Sequence, residues 1–217
     1  MNSANAKERM LKSVRDALVE RAPSPFRDLD LDTSVYHEPK GNLDIEFAEN
    51  FIRNGGKFVY CEGIQEAVDS LRFFTQQENW DKIYCAEETL QRILTHAGLP
   101  FTDNPTELIV RKVGMMTCDF LIAQTGSIVF SSQSASGRRI FSVLDTQIVV
   151  GTVAQIQPDL RTAFKLIKEK FPAKMPMPAM FSIVNGLSKI QDIDGDVQQG
   201  LGVKQLYLFL IDTSTPQ

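Results

Sequence analysis

Residues 119–130 read Asp119-Phe120-Leu121-Ile122-Ala123-Gln124-Thr125-Gly126-Ser127-Ile128-Val129-Phe130, two apolar runs separated by a polar tetrad. Short apolar runs of this kind are typical of buried strands. The tetrad, Gln124–Ser127, offers one amide, two hydroxyls and a glycine whose backbone tolerates tight turns. The stretch therefore predicts two buried strands joined by a turn. The side chains on that turn are better suited to binding an oxygen-rich ligand through hydrogen bonds than to nucleophilic attack on it.

The chain before this stretch alternates short apolar runs with helical patterns. Asn42 is in position to cap a helix that ends at Gly55-Gly56, and Lys57–Cys61 and Lys82–Cys85 read as strands, each followed by an amphipathic helix. Strands separated by single helices pair in parallel through right-handed crossovers. The first half of the domain is therefore expected to be an α/β layer.

The middle of the chain predicts a different kind of connection. Strand-like runs occur at residues 108–110, 120–123, 128–130 and 147–150, and some of the gaps between them are too short for a helix. Part of the sheet must then be antiparallel or connected by hairpins. We expect a mixed, mostly parallel sheet.

The N-terminal segment reads as an addition to this domain. Residues 5–20 carry a helical apolar pattern that a proline-rich triplet ends, and residues 22–42 are polar and lack periodicity. Long connections of this kind are uncommon inside a compact domain. We therefore expect residues 1–41 to form a helical arm and loop, and residues 42–217 to form the main domain. The arm is a candidate for joining two copies into a homodimer.

The composition predicts a globular protein of a reducing compartment. The 217 residues include 43% hydrophobic residues and carry a formal charge of -4. No apolar run approaches the roughly 20 residues that cross a bilayer, and the N-terminus is polar where a secretory signal would be apolar. Three cysteines without C-x-x-C spacing indicate neither a disulfide framework nor a metal site. We therefore expect a cytoplasmic protein with no cofactor and no membrane partner. We expect no nucleic-acid partner either, because the chain lacks the clustered cations that neutralise phosphates.

Two further polar clusters follow strand-like runs. Residues 131–139 form a hydroxyl-rich loop that ends in two arginines, whose guanidinium groups match carboxylates and phosphates. Residues 185–195 contain a glycine turn at Gly186, and Ser188 is in position to cap a short helix whose N–H groups would receive an anion, with Lys189 adding a charge. Each cluster is also consistent with an ordinary surface loop or a plain helix cap.

Taken in order, these motifs resemble the LUD (lactate utilisation) domain family, and in particular its lactate utilisation protein C-like members. The resemblance rests on Ala123–Val129, Arg139-x-x-Ser142, Ile148–Val150 before a helix, Gly186-x-Ser188-Lys189-x-x-Asp192-Ile193-Asp194, and the strand Leu206–Ile211. It spans residues 43–212. It implies a fold similar to the NagB/RpiA/CoA-transferase-like α/β proteins, which are three-layer α/β/α sandwiches.

The resemblance also implies a function. It indicates an accessory subunit that binds a small anionic ligand and takes part in the oxidation of L-lactate to pyruvate, beside iron-sulfur partner proteins of a lactate-oxidising complex. The alternative is a stand-alone transferase or isomerase that acts on a phosphorylated or CoA-linked small acid, as other members of the fold do. Hydroxyls and arginine suit lactate, a sugar phosphate or a nucleotide about equally.

The resemblance implies a ligand cleft built from three segments of the chain. Its residues are Gln124, Thr125, Gly126, Ser127, Arg139, Ser142, Gly186, Ser188, Lys189, Asp192 and Asp194. The family pattern A-E-T-G has an amide here at Gln124, where related CoA transferases use a glutamate nucleophile. The family's histidines are replaced at Gln147 and within the segment Gly200–Val203. We therefore expect a chain that binds a ligand and is not catalytic by itself.

Overall fold

The computed structural model of the chain describes residues 3–19, 41–107, 112–133, 143–171, 177–187, 189–191, 197–199 and 202–213. The chain divides into two compact units, Met1–Tyr36 and His37–Gln217. The described part of the first unit is one helix, α1 (Ser3–Val19), which confirms the predicted N-terminal helix. None of the described helices is long and apolar enough to cross a membrane.

The second unit alternates helices and strands along its first half and is richer in strands along its second half. In chain order its elements are α2 (Leu43–Arg53), β1 (Lys57–Cys61), α3 (Ile64–Gln77), β2 (Ile83–Tyr84), α4 (Glu88–Ala97), β3 (Phe101–Thr102), β4 (Val113–Thr117), β5 (Phe120–Ile122), β6 (Ser127–Ser131), β7 (Thr146–Thr152), a 3-10 turn (Val153–Gln155), β8 (Ile156–Gln157), α5 (Leu160–Lys170), β9 (Phe181–Val184), β10 (Lys189–Gln191), β11 (Val197–Gln199) and β12 (Gln205–Ile211).

Six of the strands form a parallel sheet in the order β1-β12-β7-β4-β2-β3. The longest pairing joins β12 to β7, from Gln205 opposite Thr146 to Ile211 opposite Thr152. Both strands are buried along almost their whole length, because the sheet is covered on its two faces. The predicted α/β class and the parallel pairing of the first strands are confirmed.

The antiparallel pairs lie in a second sheet, of order β8-β5-β6-β9. Strands β5 and β6 form the hairpin that carries the polar tetrad, with Phe120 opposite Val129 and Ile122 opposite Ser127. Strand β9 pairs antiparallel with β6, whereas β8 pairs parallel with β5. The hairpin predicted from the sequence is confirmed. It belongs to a separate sheet, not to one mixed sheet, because the chain leaves the parallel sheet immediately after β4.

The two sheets and the helices enclose three apolar cores. The first lies between the parallel sheet and α3 and α4, and it includes Leu71, Leu94 and Phe209. The second lies between the other face of that sheet, α2 and the β5–β6 hairpin, and it includes Phe51 and Leu208. The third is smaller and lies between the second sheet and α5. The layers thus place α2 and a sheet together on one face of the parallel sheet.

Two sequence-based expectations fail in the described residues. Strand β4 was not predicted, because Gly114, Met115 and Met116 lack the branched or aromatic side chains that favour strands, yet it pairs along its whole length with β7. The short helix expected after Ser188 is wrong, since Lys189–Gln191 forms a strand that pairs antiparallel with β11. The predicted strand at residues 108–110 lies outside the described residues.

Candidate functional site at the carboxyl edge of the parallel sheet

The polar tetrad forms the turn between β5 and β6, and this turn is docked on helix α2. The side-chain amide of Asn50 donates to the carbonyl oxygens of Ala123 (2.8 Å) and Gln124 (3.2 Å), and that of Asn54 donates to the carbonyl oxygen of Thr125 (2.8 Å). The main-chain oxygens of the turn are therefore engaged with the helix.

The hydroxyls and the glycine of the turn also make contacts within the protein. The hydroxyls of Thr125 and Ser127 are hydrogen-bonded to each other at 2.7 Å, and Ser127 is only 2% exposed. Gly126 has φ of +63°, and a Cβ there would lie 2.4 Å from the backbone nitrogen of Phe51. The turn thus contributes to the packing of the hairpin on α2.

The structure brings one more predicted site residue, Gly186, to the same end of α2. Gly186 has φ of +76°, and a Cβ there would lie 2.2 Å from the carbonyl oxygen of Asn54. The amide of Asn54 also donates to the side-chain oxygen of Asn185. One asparagine thereby holds the tetrad and the glycine turn together.

The remaining predicted site residues take no part in the contacts described so far. Lys189 lies in β10. The others lie outside the described residues: Arg139, Ser142, Ser188, Asp192 and Asp194. Their part in a ligand cleft stays a prediction.

The connections at the carboxyl ends of the neighbouring strands β2 and β4 leave the parallel sheet to opposite faces. After β2 the chain enters α4, whose Leu94 lies in the core on one face of the parallel sheet. After β4 the chain enters β5, whose Leu121 lies in the core on the opposite face. Adjacent parallel strands whose connections leave to opposite faces form the crevice in which open α/β sheets bind ligands.

A carboxylate joins the two strand ends at this crevice. Glu87, at the start of α4, accepts a hydrogen bond of 2.6 Å from the hydroxyl of Thr117 and bonds of 3.2 and 3.3 Å from its backbone nitrogen. Glu87 occupies the N-cap position of α4, yet its side chain does not cap that helix. The loop after β2 is therefore tied to the end of β4.

A cavity of about 230 Å³ lies beside this contact. It is lined by Thr117, Cys118, Asp119, Ser131, Gln133 and Lys170. One carboxylate oxygen of Asp119 accepts from the backbone nitrogen of Ser131 at 2.6 Å, and the other lies 3.9 Å from the ammonium group of Lys170. The side chain of Lys170 is 63% exposed and that of Asp119 is 21% exposed. A ligand can therefore reach the cation from solvent.

These groups favour one kind of ligand chemistry. An exposed ammonium, the hydroxyl of Ser131 and an amide can donate hydrogen bonds to an anion, while Asp119 can accept one from a hydroxyl. A multiply charged phosphate would meet repulsion from Asp119 at short range. Pockets for drug-sized ligands measure about 300–1,000 Å³, so this smaller cavity suits a small ligand. A small hydroxy acid combines the required anion and hydroxyl.

A larger cleft, of about 610 Å³, lies at the opposite edge, beside the amino ends of β4, β7 and β12. Three of its charged lining residues are in ion pairs, because Glu78 lies 3.3 Å from Lys57 and Lys204 lies 3.1 Å from Asp145. Hydrogen bonds from Tyr207 and Lys57 lower the pKa of Glu78. These ion pairs stabilise the amino ends of the strands. Open α/β sheets bind their ligands at the carboxyl ends of the strands. We therefore regard the smaller cavity as the candidate site.

The three cysteines are expected to react slowly with thiol reagents in the folded protein. Burial raises the pKa of Cys61 and of Cys85 to about 11, and burial raises the pKa of Cys118 as well. A pKa two units above the usual value leaves about 100-fold less thiolate, the reactive form, at neutral pH. Titration with a chromogenic disulfide reagent at pH 8 should label the native chain far more slowly than the chain in guanidinium. Rapid labelling of the native protein would contradict the buried positions.

Sequence reasoning missed most of the residues that line this cavity. Asp119 was visible as an acidic residue before an apolar run, but its position became informative only with β4 in place. Lys170 belongs to a basic run on a helical pattern, which the sequence alone does not distinguish from a solvated helix face. The loop predicted to hold an anion begins at Ser131, so this part of the prediction lies next to the cavity.

Comparisons with known proteins give a family and a fold. No curated protein matches the chain. A solved structure of a DUF162 family protein from Deinococcus radiodurans is similar, with a TM-score of 0.61 and 16% sequence identity, over 80% of this chain and 99% of that chain. At 16% identity, this similarity shows only that the two proteins share a fold. Residues 106–211, which include the tetrad hairpin and all the residues that line the candidate cavity, match the family model of the LUD domain. This part of the chain therefore carries a LUD domain.

Proposed function

We propose that this protein is an accessory subunit of lactate utilisation that binds a small 2-hydroxy acid or 2-oxo acid in the cavity at the carboxyl edge of its parallel sheet. It acts beside iron-sulfur partner proteins in the oxidation of L-lactate to pyruvate. The match of residues 106–211 to the LUD domain supports the coarser statement, a role related to lactate utilisation.

The observation that carries the proposal is the placing of Lys170 and Asp119 at one cavity. The ammonium group of Lys170 pairs with the carboxylate of the ligand, and the hydroxyl of L-lactate donates to Asp119. The hydroxyl of Ser131 and the amide of Gln133 complete the donor set around so small an anion, whereas the hydroxyl of Thr117 is held by Glu87.

The chemistry explains the need for partners. Conversion of lactate to pyruvate releases two electrons and two protons, so an electron acceptor must stand beside the bound acid. Iron-sulfur clusters accept electrons one at a time and are held by cysteine thiolates. Within the described residues, no group of three or more histidine, cysteine or acidic side chains is placed to hold a metal ion. The proposed complex therefore supplies the clusters from other chains.

Replacement of Lys170 by alanine is expected to weaken the binding of L-lactate and of pyruvate at least about tenfold, because a charge-assisted contact contributes about 1.5–3 kcal/mol. Lys168→Ala on the same helix is the matched control, since Lys168 is also exposed but does not line the cavity. Isothermal titration at low ionic strength measures both. Equal affinities for the two variants, or no binding by the unaltered chain, would contradict the site.

The role as a subunit has its own test. The purified chain should retain the iron-sulfur proteins of the lactate-oxidising system on an affinity matrix, and deletion of its gene should impair growth on lactate. If the chain does not retain these proteins and its deletion causes no growth defect, the accessory role is contradicted. Binding of a phosphorylated or CoA-linked acid, without binding of lactate or pyruvate, would favour the transferase or isomerase alternative.

A further inference from the structure

Strand β1 forms one edge of the parallel sheet, and its outer side has no partner strand among the described residues. The backbone nitrogen of Asp212 donates to the carbonyl oxygen of Cys61, so the peptide groups of Cys61, Val59 and Lys57 face β12. Because these groups alternate along a strand, those of Phe58 and Tyr60 point away from the sheet. They present two N–H donors and two carbonyl acceptors along the open edge.

This edge lacks most of the features that usually block strand pairing, and its one charged residue, Lys57, stands at the first position. The opposite edge strand, β3, has only two residues, whereas β1 has five residues and contains neither proline nor a bulge. Tyr60 is 44% exposed, and the neighbouring helix α2 exposes Ile45 and Ile52, which lie seven residues apart on its outer side. An open edge beside exposed apolar side chains is a surface for pairing with another chain.

We infer that β1 pairs antiparallel with β1 of a second copy of this chain, about a two-fold axis that passes through Val59. In this register Phe58 of each copy faces Tyr60 of the other, and their four outward peptide groups form four hydrogen bonds. Phe58 and Tyr60 project to the same face of the strand, so each pair also joins two aromatic rings across the interface.

The charges of the strand ends favour a second copy as the occupant. The amino end of β1 carries Lys57, whose ammonium pairs with Glu78 but whose side chain remains 43% exposed. The carboxyl end carries Glu62 and lies beside Asp212, which accepts a hydrogen bond of 2.8 Å from Tyr60. Antiparallel pairing of two identical strands brings the basic end of each against the acidic end of the other. A two-fold interface requires this kind of self-complementarity.

Tyr60→Pro tests the proposal through the backbone. Proline removes one outward N–H and leaves the bonds to β12 intact, which is why edge strands tolerate proline there. Light scattering after gel filtration should find the unaltered chain dimeric, Tyr60→Pro monomeric, and Tyr60→Ala, which keeps the N–H, still dimeric. Circular dichroism checks that Tyr60→Pro is folded. A monomeric unaltered chain, or a folded Tyr60→Pro that stays dimeric, would overturn the inference.

Val59→Cys supplies a readout that does not depend on folding of the proline variant. Residues that face each other in a non-hydrogen-bonded pair have Cα atoms about 4.5 Å apart, within the range that a disulfide spans. Mild oxidation should convert Val59→Cys into a covalent dimer. Phe73→Cys, at an exposed position on α3, serves as the control and should not be converted. Absence of the cross-link, or loss of the dimer when residues 1–40 are deleted, would assign the interface elsewhere.

Discussion

Replacement of Gly126 by alanine is expected to lower the free energy of unfolding by about 3 kcal/mol or more. Gly126 has φ of +63°, a conformation that costs a residue with a side chain about 1–2 kcal/mol. The new methyl group would also lie 2.5 Å from the carbonyl carbon of Asn50 and 2.8 Å from the Cα of Phe51. These are backbone atoms, so the helix or the hairpin must move, and overpacking of this kind costs about 1–3 kcal/mol.

Gly98→Ala is the matched control for this change. Gly98 has φ of +68°, and a Cβ there would meet nothing within 4 Å. Its replacement should therefore show only the conformational cost, about 1–2 kcal/mol. Urea unfolding of both variants gives the two free energies by linear extrapolation. Equal losses of stability would show that the close approach of the turn to α2 is wrong.

Replacement of Phe51 by alanine is expected to lower the free energy of unfolding by about 3–5 kcal/mol, the usual cost of truncating a buried phenylalanine. Phe51 is 0% exposed, and its ring stacks on that of Phe47 with centroids 5.6 Å apart. Its ring also occupies the space beside Gly56, where a Cβ would lie 2.4 Å from it. Truncation therefore leaves a cavity under both the helix and the turn.

The neighbouring residue provides the control for the phenylalanine. Ile52 lies on the same turn of α2 but is 55% exposed, so Ile52→Ala should change stability by less than about 1 kcal/mol. Thermal unfolding followed by circular dichroism compares the two variants under one condition. A large loss in Ile52→Ala together with a small loss in Phe51→Ala would mean that α2 is rotated about its axis.

The two stability predictions bear on the role of the tetrad. If both changes destabilise the chain as expected, the turn at residues 124–127 serves first as the anchor of the β5–β6 hairpin on α2. Ligand binding then depends on the cavity next to the hairpin, where Asp119 immediately precedes β5 and Ser131 ends β6. A change at Gly126 would disturb that cavity indirectly, through the hairpin.

Local patterns of residues were enough to predict the class of fold and the hairpin. The predicted strand at 57–61 matches the observed bounds and that at 206–211 differs from β12 by one residue, because each is a short apolar run bounded by polar residues. Gly98 marked the end of α4 for a similarly local reason, since glycine readily adopts the left-handed conformation found there. Such signals depend on a few consecutive residues.

The convergence of the polar groups depends on contacts between distant parts of the chain. Asn54 meets the oxygen of Thr125 across 71 residues of chain, and no local pattern records that contact. Strand β4 is stabilised by its place between β7 and β2 in spite of weak strand propensity, and it positions Asp119 near Lys170 of α5. The cavity depends on the ends of several elements, and packing of the whole domain sets their separation. The polar tetrad therefore predicted the hairpin. The three-dimensional arrangement showed that the turn of the hairpin is held by α2 and that the candidate ligand cavity lies beside the hairpin.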